Sequence, residues 1–196
     1  MPSFIVRCVA LLSLAAALPA ASALRAATPP HVDIAIRTTV GTIVVRLDTA
    51  HAPLTANNFL HYVDTRAFDH GASFYRTVSK VNEPQVPFEV IQGGFKTVPA
   101  DAKRIALEPT DKTGLHNDDG EISMARTNDP DSAATEFFIC IGNARYLDAG
   151  GPLGVGYAAF GKVIRGMDIV HRIHHANAVG ESLEPPIAIL SVKRTR

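Results

Sequence analysis

The stretch VDIAIRTTVGTIVVRL, Val32 to Leu47, alternates apolar side chains with polar or small ones on both sides of Val40-Gly41. A period of two interrupted by a turn pair is the pattern of a β-hairpin, here Val32 to Thr39 and Thr42 to Leu47. Just downstream the period changes. Leu54, Phe59, Leu60 and Val63 fall on one helical face, which predicts a helix from Thr55 to about Val63 with Thr55 as its cap. Strand patterns then return at Ala72 to Val78, Phe88 to Gln92, Gly120 to Ala125, Phe137 to Gly142, Tyr157 to Ile164 and Ile187 to Lys193, each bounded by Gly, Pro, Asn or Asp. A second helix fits Met167 to about His174, with Ile169, Val170 and Ile173 on its apolar side. Strands outnumber helices and do not alternate with them, which argues against a doubly wound parallel sheet. The economical solution is mainly β, a closed antiparallel barrel with helices over its openings, because closure removes exposed edges.

Composition limits the function classes. At 46% hydrophobic and 19% charged residues, the chain reads as globular. Nineteen basic and nineteen acidic residues cancel, so no net field draws it to nucleic acid or anionic lipid. The N-terminus reads differently. A basic start with Arg7, an apolar run from Cys8 to Leu18, Pro19 and then Ala21-Ser22-Ala23 match a signal peptide cleaved after Ala23. The expected layout is therefore a leader over 1–23, a linker over 24–31 and one domain over 32–196, exported to the periplasm. Cys140 is then the lone thiol of the mature chain, in Phe137-Phe138-Ile139-Cys140-Ile141, and reads as a small core residue.

No nucleophile elbow, phosphate loop or zinc-protease helix is present. His171, His174 and His175 would cluster on the second helix, but without an accompanying carboxylate or cysteine they read as a solvated helix end, and no metal or other cofactor is expected. Three segments carry more information. They are Phe74-Tyr75-Arg76 with Val90-Ile91-Gln92-Gly93-Gly94, then Ile122-Ser123-Met124-Ala125-Arg126 with Glu136-Phe137-Phe138-Ile139, then Tyr146-Leu147-Asp148 with Gly156-Tyr157-Ala158-Ala159-Phe160-Gly161-Lys162-Val163.

In that order, these segments resemble the cyclophilin-type peptidyl-prolyl cis/trans isomerases, above all the exported bacterial kind, from Val32 to Lys193. The resemblance implies an eight-stranded antiparallel barrel capped by two α-helices, with an outer groove for a proline-containing segment. It implies Arg76 and Gln92 as catalytic residues. It implies a substrate groove of Phe74, Val90, Ala125, Arg126, Glu136, Phe138, Leu147, Tyr157 and Phe160, with Phe137 facing inward.

The implied chemistry breaks no bond. Resonance in the X-Pro amide sets a barrier of roughly 18–20 kcal/mol, so a catalyst must bind the twisted amide better than either planar form. Twisting frees the prolyl nitrogen lone pair to accept a hydrogen bond, and a fixed guanidinium suits that role. Several positions depart from the family pattern. Tyr75 replaces a usual His and is expected to face away from Arg76. Glu136 stands where Gln is usual and could pair with Arg76 or compete with substrate for it. Tyr157 replaces another His, and Ser79 to Pro87 reads as an inserted surface loop. Tyr146 occupies a position often held by Trp, so weak cyclosporin binding is expected. The implied partners are proline-containing segments of unfolded or exported proteins, met by a monomer. The other possibility is a chaperone module on the same barrel that binds proline peptides without turnover.

Overall fold

The structure, a computed structural model, describes residues 30–195, so the leader and most of the linker lie outside the described residues. Nine strands form one antiparallel sheet: β1 His31–Thr38, β2 Gly41–Asp48, β3 Ser73–Val78, β4 Glu89–Gly94, β5 Glu121–Met124, β6 Phe137–Ile141, β7 Ala159–Arg165, β8 Ala178–Val179 and β9 Ser182–Arg194. They lie in the order β1-β2-β7-β5-β6-β4-β3-β9-β8, and β1 also pairs with β9. That pairing closes eight strands into a barrel and leaves β8 as a short hairpin partner of β9. Closure leaves no long edge open to another chain.

Alternation decides what fills the barrel. Val32, Ile34 and Ile36 of β1, Ile43, Val45 and Leu47 of β2, and Phe137 and Ile139 of β6 point inward into one buried cluster. Helix α1 (Pro53–Asp64) adds Phe59, Leu60 and Val63, and helix α3 (Met167–His174) adds Ile169, Val170 and Ile173. The helices follow the C-terminal ends of β2 and β7, which are antiparallel neighbours, so they lie at opposite ends of the barrel. Between β4 and β5 runs a long connection holding only the four-residue helix α2 (Thr110–Thr113). Gly166 sits at the entry to α3 with φ of 91°, where a side chain would be strained. A Cβ there would also lie 2.5 Å from the Thr42 carbonyl oxygen.

Two expectations are corrected here. Helix α1 starts at Pro53, so Thr55 is inside its first turn and does not cap it. The free N–H groups of Leu54 and Thr55 instead donate to the Glu108 carboxylate at 3.1 and 2.7 Å, and the Thr55 hydroxyl donates to it at 2.6 Å. A carboxylate at a helix N-terminus satisfies orphan donors and the helix dipole together. The cluster at the end of α3 is not uniformly solvated. His174 is only 5% exposed, with Nε2 3.2 Å from the Val78 carbonyl oxygen and 3.4 Å from Glu89 Oε2.

Candidate functional site

A second apolar cluster lies on the outside of the barrel wall, under the outward face of β3, β4 and β6. It contains Val78, Val90, Phe138, Cys140, Ala144 and Leu147, with Phe88, Tyr146 and Tyr157 packed against it. Strict alternation puts it there, because Phe138 and Cys140 face out where Phe137 and Ile139 face in. Burial pushes the Cys140 thiol pKa up, so it stays a protonated packing group.

Register then sets polar groups beside this apolar bed. Phe138 of β6 lies opposite Gln92 of β4, and Gln92 lies opposite Arg76 of β3. Three adjacent strands thus carry a phenyl, an amide and a guanidinium in one row, at strand spacings of about 4.8 Å. Arg76 reaches this face through a β-bulge. Phe74 pairs with Gly93 and Arg76 with Gln92, so Tyr75 is an extra residue in β3. Without the bulge, Phe74 and Arg76 would share a face. With it, Phe74 is fully buried among the barrel aromatics, 5.7 Å from Phe137 ring to ring, while Arg76 faces out.

The row is tied together by directed hydrogen bonds. Arg76 Nη1 donates to Gln92 Oε1 at 2.7 Å, and Gln92 Nε2 donates to the Tyr75 hydroxyl oxygen at 2.9 Å. That hydroxyl in turn donates to Glu136 Oε1. On the other side, Arg76 Nε donates to Glu181 Oε2 at 2.7 Å. Burial first, then the Glu136 carboxylate, raises the Tyr75 phenol pKa, so it remains a donor at any ordinary pH. The arrangement fixes the guanidinium at two of its nitrogens and leaves Nη2 without a protein partner among the described residues.

A cavity of about 130 Å³ opens over this row. Arg76 and Gln92 line one part of it, Val90, Phe138 and Leu147 its floor, and Ala125, Arg126 and Tyr157 its far side, with Phe88 completing the wall. The structure therefore gathers eight of the expected positions and adds Phe88, which stacks on Tyr146 with ring centroids 6.0 Å apart. Phe88, Val90 and Gln92 alternate along one face, a pattern visible in the sequence itself.

Other expected positions are elsewhere. Phe74 and Phe160 do not reach the groove, since both are fully buried inside the barrel, and Phe160 lies 5.4 Å from the Phe59 ring. Glu136 is not among the residues lining the cavity; it accepts from the Tyr75 hydroxyl, and the carboxylate paired with Arg76 is that of Glu181. Tyr75, expected to face away from Arg76, bonds through its hydroxyl to Gln92 and Glu136, so it meets the Arg76 guanidinium only through the shared Gln92 amide. The Ala125 backbone N–H is already taken by the Glu136 carbonyl at 2.9 Å and is not free for a peptide. Glu181, which sequence reasoning missed, arrives from the turn between β8 and β9. No local pattern links it to Arg76, 105 positions away.

The segment Ser79 to Pro87, expected to be an inserted surface loop, is bonded to the same wall. Asn82 accepts from the Ser79 N–H at 2.7 Å and donates to the carbonyls of Thr77 and Gly180 at 2.9 and 3.0 Å. Val86 packs on the outer apolar cluster beside Phe88.

Comparison with known proteins agrees with this geometry. Residues 31–194 match the family model described as cyclophilin type peptidyl-prolyl cis-trans isomerase/CLD. Peptidyl-prolyl cis-trans isomerase A of Dickeya dadantii is 37% identical, over 94% of this chain and 93% of its own length. Peptidyl-prolyl cis-trans isomerase B of Escherichia coli is 32% identical, over 71% of this chain and 82% of its own length. A Cryptosporidium parvum cyclophilin type peptidyl-prolyl cis-trans isomerase has the same fold, with a TM-score of 0.69 at 20% identity over 85% of this chain and 98% of that one. Sequence, fold and groove lead to one assignment: the chain belongs to the cyclophilin-type peptidyl-prolyl cis-trans isomerase family.

Proposed function

We propose that the chain catalyses rotation about X-Pro bonds, with Arg76 donating to the prolyl nitrogen as the amide twists. One observation carries this reading: the outward row of Phe138, Gln92 and Arg76, in which the guanidinium is held at 2.7 Å by both Gln92 and Glu181. Phe138, Leu147 and Val90 form an apolar seat for the pyrrolidine ring. From the adjacent strand Arg76 presents its unpartnered Nη2 toward the ring nitrogen. In the planar amide that nitrogen's lone pair is delocalised and accepts poorly; at the twisted geometry it accepts well. The donor therefore stabilises the transition state more than either ground state. Because the bonds to Gln92 and Glu181 orient the guanidinium beforehand, little reorganisation is left for the reaction itself.

A proline-peptide isomerisation assay on the wild type and Arg76→Ala tests this. The variant is expected to lose about 10²-fold in kcat/KM, the scale of one preorganised donor. A loss below threefold would remove Arg76 from the proposed role, and peptide binding by a wild type that does not exceed the spontaneous rate would leave only a binding module. The leader-like residues 1–23 support export and a role on periplasmic client proteins. Recovery of the mature chain from a periplasmic fraction beginning at Leu24 tests that part. With Tyr146 stacked on Phe88 in place of an indole, cyclosporin is expected to bind weakly, and a submicromolar Kd would contradict it.

A further inference from the structure

Arg126 differs from the other charged group lining the groove in that no carboxylate among the described residues neutralises it. Arg76 is paired with Glu181, and Glu136 is engaged by Tyr75. Arg126 instead donates Nε to the Gly156 carbonyl at 2.9 Å and Nη1 to the Thr127 carbonyl at 2.8 Å. Its guanidinium carbon lies 4.6 Å from the centre of the Tyr157 ring. These contacts fix the direction of the guanidinium without cancelling its charge, since two carbonyls and a ring face are all neutral. The Gly156 carbonyl comes from a tightly folded loop: φ there is +66°, and a Cβ would lie 2.5 Å from the Asp148 carbonyl carbon. Tyr157 in turn stands edge-on to Phe138, ring centres 5.4 Å apart, which couples the fixed cation to the apolar floor.

We propose that Arg126 makes the groove select proline-containing segments that carry a carboxylate side chain within two residues of the proline. This rests on the groove being the proline-peptide site and names the substrate class it favours. A half-buried, oriented and unneutralised guanidinium is a ready partner for a carboxylate, and Nη2 has no protein partner among the described residues. A lysine at the same place in the substrate would meet a like charge that cannot swing away, because the two carbonyls and the Tyr157 ring hold it.

The test uses one alanine-based proline peptide and its versions with Glu or Lys at each flanking position, measured by isomerisation kinetics and by direct binding titration. The best-placed Glu peptide is expected to exceed the Ala peptide about fivefold at low salt, with Lys below Ala, as for a partly exposed ion pair. The preference should shrink toward one in about 0.5 M salt. In Arg126→Gln the Glu-to-Ala ratio, taken within that variant, should fall to near one, while Arg126→Lys should keep part of it. A wild-type ratio of one or below, or a ratio unchanged in Arg126→Gln, overturns the proposal. If no peptide is turned over but binding still favours Glu, the isomerase reading fails and the selectivity stands. If turnover is normal and indifferent to charge, the reverse holds.

Discussion

Replacing Glu181 with alanine should slow isomerisation without unfolding the protein. Glu181 does not line the groove, yet its carboxylate holds Arg76 Nε at 2.7 Å, with the two side chains 32% and 36% exposed. Its own place is fixed by the backbone, because the Thr77 N–H donates to the Glu181 carbonyl at 2.8 Å. Solvent screens a pair this open, so its loss should cost under about 1 kcal/mol of stability and shift Tm by no more than ~2–4 °C. The effect on rate comes from orientation. An arginine side chain carries about 2 kcal/mol of rotamer entropy, and with Glu181 gone only Gln92 restrains the guanidinium. If half of that freedom returns, the transition state loses ~1 kcal/mol, about fivefold in rate.

The fivefold loss should fall on kcat, with KM little changed, because the apolar seat that binds the ring is untouched. Glu181→Gln, which keeps an acceptor for Nε, should recover most of the rate. Kinetics for both variants at saturating and limiting peptide separate these quantities. A Glu181→Ala enzyme as fast as or faster than wild type would refute the reasoning, since the carboxylate would then be competing with substrate for Arg76.

Other outcomes follow from the same contacts. Glu108→Ala removes the acceptor at the start of α1, which has no side-chain cap of its own, and should cost about 1–2 kcal/mol in chemical denaturation. Phe160→Ala should destabilise by about 3–5 kcal/mol, whereas a small stability change with lost activity would return Phe160 to the groove. Burial lowers the His174 pKa from its ordinary 6.5, so the unfolded chain binds the extra proton first. The stability this histidine contributes is complete above pH 6.5 and declines as pH falls below it. His174→Gln should flatten that part of the urea-midpoint profile. The carboxylates whose pKa values are lowered from 3.8, such as Asp64 beside Arg194, act only at more acid pH, so an unchanged slope between pH 7 and 5 would exclude His174 as its source.

The parts of this fold legible in the sequence are those with local causes. Alternation marked the strands and the 3.6-residue period marked α1 and α3, because each depends on neighbours a few positions apart. The start of α1 was not legible, since its acceptor, Glu108, lies more than fifty positions downstream. Glu181 was hidden for the same reason.

The direction in which side chains face is the more instructive gap, and both phenylalanines misplaced in the groove lie at strand irregularities. On β7, Ala159 pairs with Ser123 and Gly161 with Ile122, so Phe160 is the extra residue there. On β3, Tyr75 is the extra residue between Phe74 and Arg76. A bulge depends on how two strands fit together, so neither strand's own sequence announces it. Yet the β3 bulge is what the site requires. Phe74 must fill the barrel, Arg76 must reach solvent, and a regular strand would send both the same way. One inserted residue resolves the conflict and brings the Tyr75 hydroxyl onto Gln92, where it sets which end of that amide faces the guanidinium. The irregularity that defeats a residue-by-residue reading is thus the one that orients the proposed catalytic group.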